Sequence, residues 1–201
     1  VNASLVRMND VMSYRGPDSK GVFRSRNYAC AFSRLKIIDL EDRANQPFQD
    51  ESARYTLAFN GEIYNYLELR VQLKQRGHQF VTESDTEVLL NAFIEWGMDC
   101  ANRLIGMFAF ALYDSARNEV YLCRDQLGIK PIYYTLVGDA LYFCSEIKPF
   151  SHVTSLKLNT SKMIEYACCG SILGPETLFE EISELEPGCF LSVNADLGLA
   201  K

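Results

Sequence analysis

Five short segments hold the residues that chemistry could use: Arg15-Gly16-Pro17-Asp18, Ser33-Arg34-Leu35, Asn60-Gly61-Glu62-Ile63-Tyr64-Asn65, Ser84-Asp85-Thr86-Glu87 and Arg124-Asp125-Gln126-Leu127-Gly128-Ile129-Lys130-Pro131. Arg34 closes a run of small and apolar residues, where a planar guanidinium could grip a carboxylate bidentately; a buried ion pair is the plainer alternative. Asn60-Gly61 comes where an apolar strand is expected to end. A side-chain amide and a glycine N–H aimed one way would stabilise the oxyanion of acyl transfer, although a turn with an Asx hydrogen bond accounts for the same residues more simply. Glu62 and Asp85 could each hold a substrate ammonium, and Asp85 could equally be a helix cap. An arginine for an α-carboxylate, two acids for an α-ammonium and an Asn-Gly pair for an oxyanion together describe a site for a free amino acid whose side-chain carbonyl is attacked. No nucleophile accompanies them.

The two remaining segments read as scaffolding. Pro17 fixes φ in an ordered turn that leaves Arg15 available for an ion pair. Arg124 to Pro131 gathers charges around Gly128 in a loop between strands. Pairing of Arg124 with Asp125 or another acid is expected there, with loop closure or an interdomain contact as the alternatives.

Elements that could position these groups alternate along the chain. Residues 27–39 and 54–59 are rich in β-branched and aromatic residues and are predicted strands, the second ending at Asn60-Gly61. Residues 64–76, stopped by Gly77, are predicted helical. In 86–96, Val88, Leu89, Ala92, Phe93 and Trp96 form one helical stripe, with Ser84 or Asp85 as its N-cap. Short strands are predicted over 107–113, 119–123, 132–136 and 141–144, separated by the turn residues 114–118 and 137–139, a spacing that reads as antiparallel hairpins. A short helix over 161–168 and a last strand over 188–193 follow. The class is α+β, an antiparallel sheet with helices outside it.

The chain has 201 residues, 48% hydrophobic and 23% charged, enough for one domain, or one domain with an extension, built around a real core. A net charge of −6 without like-charge runs argues against nucleic acid and against a membrane surface. No stretch approaches the ~20 apolar residues of a membrane span. The seven cysteines are odd in number and lack C-x-x-C spacing; they read as reduced core residues of a cytoplasmic protein. With only His78 and His152 present, no metal site is expected.

In order and spacing these segments resemble the class II, N-terminal-nucleophile glutaminase domain of asparagine synthetase. The resemblance rests on Arg15-Gly16-Pro17-Asp18, Arg34-Leu35 with Ile38-Asp39, Gln46-Pro47, Phe59 to Asn65, Ser84 to Glu87, Gly106 to Asp114, Arg124 to Pro131 and Ser145-Glu146-Ile147-Lys148. Later, Gly174 to Thr177 and Leu185 to Gly188 look like the family's exit from this domain. It implies a four-layer αββα sandwich of two antiparallel sheets. Residues 1–150 would be the glutaminase proper, and 151–201 its C-terminal part and the start of a connection to a synthetase domain.

It also implies roles. Arg34 would bind the glutamine α-carboxylate, Glu62 and Asp85 its α-ammonium, and Asn60 with the Gly61 N–H would form the oxyanion hole. The family's nucleophile is a cysteine at the mature amino terminus, whose own amine is the general base. It would precede Val1, so the chain as it stands is expected to bind glutamine weakly and not to hydrolyse it. Cys169-Gly170-Ser171-Ile172 only echoes such a start, because an internal cysteine has no free amine. No cofactor is expected in this domain; ATP and Mg belong to the synthetase domain, the expected partner, which would contact the regions 124–131 and 146–148. A homodimer is possible. A catalytically dead domain that regulates or binds a partner is the alternative.

Overall fold

A computed structural model describes residues 2–194 and 198–200, with Asn2 and the last three by backbone alone. Its elements are α1 (Asn2–Val11), β1 (Ser19–Arg24), β2 (Ala29–Arg34), β3 (Phe48–Gln49), β4 (Tyr55–Ile63), α2 (Tyr66–Gln75), α3 (Asp85–Trp96), β5 (Gly106–Asp114), β6 (Glu119–Arg124), β7 (Tyr133–Val137), β8 (Ala140–Cys144), α4 (Thr160–Cys169), β9 (Ser183–Glu184), β10 (Phe190–Asn194) and β11 (Gly198–Ala200). Among the described residues no helix is long and apolar enough to cross a membrane.

The architecture is a four-layer α+β sandwich. The first β layer is a six-stranded antiparallel sheet in the order β11-β10-β6-β5-β4-β3. Alternation along β4 and β5 explains its two faces. Leu57, Phe59 and Ile63 on β4, with Phe108, Phe110 and Leu112 on β5, point outward and pack on Leu69 and Leu73 of α2 and Val88, Leu89 and Phe93 of α3. Leu57, Leu73, Leu89 and Leu112 have no exposed surface, and each contributes roughly 1.5–3 kcal/mol of hydrophobic stabilisation. The opposite face is smaller: Ala109, Ala111, Leu122 and Leu191 meet Tyr134, Leu141 and Phe143.

That second face looks onto the second β layer, which consists of two ladders, β1-β2 and β8-β7-β9. Cys30 of the first ladder, and Tyr28 in the turn that joins its strands, reach Tyr113 of the six-stranded sheet. α1 and a 3-10 turn at Lys148–His152 cover the outside, where Met8, Cys144, Phe150 and Ile182 form a separate cluster.

Several sequence expectations change. β4 does not stop at Asn60-Gly61; it runs on to Ile63, pairing Asn60 with Ala109, Gly61 with Phe108 and Glu62 with Met107. The glycine is needed for contact rather than for turning. A Cβ on Gly61 would lie 2.1 Å from the Met107 carbonyl oxygen. β1 was not anticipated, since Gly21 interrupts it; there a Cβ would come within 2.0 Å of the Gln46 carbonyl oxygen. α1, with Asn and Asp among its apolar residues, carries too weak a stripe to be read. The cysteines are only partly core: Cys30, Cys100, Cys123 and Cys144 are buried, whereas Cys168, Cys169 and Cys189 are exposed, and all seven are free thiols.

Candidate active site

β4 presents Asn60 and Glu62 on its inner face, two residues apart, as a strand must. Beneath them Ala58, Ala109 and Ala111 are too small to fill the space between the β layers, and a cavity of about 470 Å³ opens there. Arg34, Asn60, Gly61, Glu62 and Asp85 all line it. The five residues singled out from the sequence are therefore brought to one place.

Arg34 ends β2 on the inward face, four residues after buried Cys30, and is itself 5% exposed. Its guanidinium is largely committed. Nη1 donates to the Glu41 carbonyl at 3.3 Å and Asn45 Oδ1 at 3.0 Å; Nη2 donates to the Ile38 and Asp39 carbonyls at 3.1 and 2.6 Å. Those contacts give each Nη atom two acceptors within the loop. The arginine gathers the 35–45 loop around itself, and its side chain lines the cavity. Burial pulls its pKa down, against the opposing pull of Asp39, Asp85, Asp42 and Asp18.

Asp85 opens α3 but does not cap it. Ser84 does, its Oγ accepting the Thr86 N–H at 3.1 Å. Asp85 Oδ2 instead accepts the Ile63 N–H at 3.1 Å. Burial pushes the Asp85 carboxyl up, the Ile63 and Thr86 N–H groups pull it back, the nearby Glu62 carboxylate raises it again, and the net result lies above the usual range. Two acids, facing a guanidinium whose Nη atoms are already engaged by loop oxygens, leave this end of the cavity short of positive charge.

Asn60 is the sharpest feature. Its Nδ2 is buried and has no hydrogen-bond partner. Buried donors are rarely left unpaired, because each costs about 1–3 kcal/mol. The strand holding it is pinned by a residue whose role sequence reasoning missed. Gln46 is 7% exposed, and its side chain brackets the preceding residue: Oε1 accepts the Phe59 N–H at 2.6 Å and Nε2 donates to the Phe59 carbonyl at 3.1 Å. Nε2 also reaches Thr86 Oγ1 at 3.4 Å, which ties β4 to α3. The Gln46-Pro47 pair was legible as a motif; its partner, a backbone thirteen residues away, was not.

The other segments frame the cavity. Arg15 Nη1 and the Tyr14 hydroxyl both donate to Glu146 Oε1, at 2.7 and 2.5 Å, and Asp18 accepts the Lys36 N–H at 2.8 Å. The 124–131 loop crosses from one β layer to the other. Arg124 pairs not with Asp125 but with Glu184 at 2.8 Å, and donates to the carbonyls of Leu185, Gly128 and Lys130. Asp125 accepts backbone N–H groups from Phe108, Leu127, Ile129 and Lys130.

A second cavity of about 570 Å³ adjoins the first, sharing Asn9, Met12, Ala31, Ala58, Phe143 and Cys144. It lies between the facing edges of β2 and β8, with α1 above and the six-stranded sheet below. Of the cysteines only Cys144 lines the first cavity among the described residues. Its thiol, pushed up to about 11 by burial and lying 3.2 Å from the Met12 sulfur, is a poor nucleophile.

Comparison with known proteins fits this geometry. Residues 1–198 match the family described as glutamine amidotransferase domain. The chain is 38% identical over 191 residues to asparagine synthetase [glutamine-hydrolyzing] 1 of Bacillus subtilis, covering 94% of this chain and 30% of that protein. It is 43% identical over 145 residues to asparagine synthetase B [glutamine-hydrolyzing] of Escherichia coli, covering 71% of this chain and 26% of that one. It thus spans less than a third of the length of these relatives. Among solved structures, the glutamine phosphoribosylpyrophosphate amidotransferase of B. subtilis complexed with ADP and GMP superposes with a TM-score of 0.68 at 23% identity, over 96% of this chain and 44% of that one. That likeness is one of fold.

Proposed function

Because the chain belongs to the glutamine amidotransferase domain family, we propose that its cavity binds L-glutamine, and that the domain hydrolyses it to glutamate and ammonia for the ATP-dependent acceptor domain of an asparagine-synthetase-like enzyme. The observation that carries this reading is the unpartnered, buried Asn60 Nδ2 at the wall of a cavity that also holds two acids and an arginine. A donor held there unpaired is preorganised for an oxygen that becomes negative only during reaction.

In this reading the glutamine ammonium sits between Glu62 and Asp85 and relieves their mutual repulsion. The α-carboxylate lies toward Arg34, held by its charge. The side-chain carbonyl points at Asn60 Nδ2 and the Gly61 N–H. Attack by a thiolate forms a tetrahedral oxyanion, ammonia leaves, and water releases glutamate from the thioester. We assign the thiol to a free amino-terminal cysteine on a strand seated between β2 and β8, where the two ladders leave facing edges open to pairing. The domain itself then needs no metal or nucleotide; ATP and Mg serve the acceptor domain. A dead regulatory domain would have no use for an unpaired donor that lowers stability.

The test compares two proteins. The chain Val1–Lys201 should bind L-glutamine in calorimetry and release no ammonia. A version extended at its amino end by a strand beginning in free cysteine should release ammonia and lose that activity when the cysteine becomes alanine. Ammonia release from the unextended chain, or none from the extended one, would refute the assignment of the nucleophile. Absence of glutamine binding by both would refute the substrate.

A further inference from the structure

Arg34 cannot set its own orientation, because the oxygens it binds belong to a loop that has no regular secondary structure between Leu35 and Glu41. Asp39 is where that loop is fixed. Its side chain is 2% exposed. Oδ1 accepts the Glu41 N–H at 3.1 Å, and Oδ2 accepts the Glu83 N–H at 2.7 Å. The second bond crosses from the loop to the segment that leads into Ser84 and Asp85. Arg43 adds its Nε at 3.6 Å from Oδ2. Burial pushes the carboxyl up, but the Glu83 and Glu41 N–H groups, with Arg43 and Arg34, hold it below the usual range.

The backbone of the same residue is in the left-handed region, at φ 51°. A residue with a Cβ adopts that conformation at a cost, and Asp and Asn bear it best among such residues. The conformation turns the Asp39 carbonyl inward to accept Arg34 Nη2 at 2.6 Å, the shortest contact the guanidinium makes. One residue thus touches the arginine through its carbonyl and the Asp85 segment through its carboxylate.

We propose that Asp39 is a positioning residue for recognition of the substrate's α-carboxylate: it locks the 35–45 loop to the start of α3 and thereby sets the place of the Arg34 guanidinium relative to Asp85. This rests on the glutamine reading of the cavity and adds a determinant of specificity to it. Asp39 itself touches no substrate in this scheme. Its removal acts at the carboxylate end, because Asp85 keeps its own bond from the Ile63 N–H and the ammonium and amide ends stay in place.

The experiment measures binding of two ligands by calorimetry, L-glutamine and its α-carboxamide, which differ only at the group Arg34 addresses. In the wild-type protein L-glutamine should bind more tightly. Asp39→Ala should weaken L-glutamine about tenfold while leaving the α-carboxamide within about twofold, so that the preference collapses. Asp39→Asn tolerates the same backbone conformation and keeps one acceptor oxygen, and should fall between the two. Equal losses for both ligands in Asp39→Ala would mark a merely structural role and overturn the proposal, as would unchanged binding of both. An Asn variant as impaired as the Ala variant would overturn the part given to the backbone conformation. A wild-type protein that binds neither ligand refutes the glutamine reading and this proposal with it, a result distinct from the variant outcomes.

Discussion

The carboxylate of Asp85 accepts the backbone N–H of Ile63 at 3.1 Å, which fastens the first turn of α3 to the strand that carries Asn60 and Glu62. A buried acid beside a second acid is costly to ionise, and the Asp85 carboxyl is raised accordingly, by burial first. An acid whose folded pKa is raised stabilises the fold fully below its unfolded value, and that contribution is lost as pH rises through the folded value. At neutral pH the ionised group is therefore a liability of the unliganded protein. Asp85→Asn, which keeps an oxygen for Ile63, should raise stability at pH 7 by about 1 kcal/mol. The gain should shrink as pH falls through the carboxylate range. Glutamine affinity should drop by at least about tenfold in the same variant. Thermal melts across pH, paired with calorimetry, check both halves; a destabilised variant at pH 7 would contradict the argument.

Asn60→Ala separates catalysis from stability. Removing one oxyanion donor costs about 10²–10³ in kcat. The donor has no partner to lose in the unliganded fold, so the melting temperature should hold or rise, and glutamine affinity should change little. Steady-state ammonia release in the glutamine-hydrolysing form of the enzyme is the measurement. A large fall in stability would show that Nδ2 has a structural partner.

Gly61→Ala should fail differently. The added methyl would meet the Met107 carbonyl oxygen at 2.1 Å and the Phe108 Cα at 2.7 Å, both backbone atoms in the paired strand β5. Overpacking against backbone cannot be relieved by a rotamer change. A loss of at least ~2 kcal/mol is expected, read as a lower urea midpoint. Activity should fall with the folded fraction and also in the protein that remains folded.

How much of this was legible in the sequence depends on whether a residue's partner is local. The stripe of α3 lies within twelve residues and was readable from its period. So was the grouping of Arg34, Asn60, Glu62 and Asp85, which line one cavity, because residue types that suit one ligand are informative even before their positions are known. Where partners are distant, reading failed. Asn60-Gly61 looks like a turn because turns use both residues; only the closeness of β5 shows that Gly61 serves a ladder. Gln46 imitates a strand edge for Phe59, and nothing in its neighbourhood says so. Nearness does not suffice either when the partners are carbonyls of an irregular loop: three of the four oxygens around the Arg34 Nη atoms are main-chain atoms, which residue types do not announce.

Asp125 tests the loop that joins the two β layers. It is 1% exposed and accepts N–H groups from Phe108, Leu127, Ile129 and Lys130. Burial pushes its carboxyl up, but those N–H groups outweigh it and leave it below the usual range. Such an acid gives stability above its unfolded pKa, and that stability is lost as pH falls through the depressed folded value. Asp125→Ala strands those donors and should cost about 3 kcal/mol or more at neutral pH. Its stability should also depend less on pH in the acid range than the wild type's, measured by denaturant titration at several pH values.

The partition of the cysteines has a practical consequence for tagging the protein chemically. Burial lifts the thiols of Cys30 and Cys144 to about 11 and those of Cys100 and Cys123 to about 12, so at neutral pH they are almost wholly protonated and slow toward electrophiles. Alkylating reagents meet Cys168, Cys169 and Cys189 at the surface first. With those three changed to serine the folded chain becomes nearly silent, so that in the form extended by an amino-terminal cysteine an adduct left by a glutamine-shaped electrophile marks the sulfur that performs the reaction.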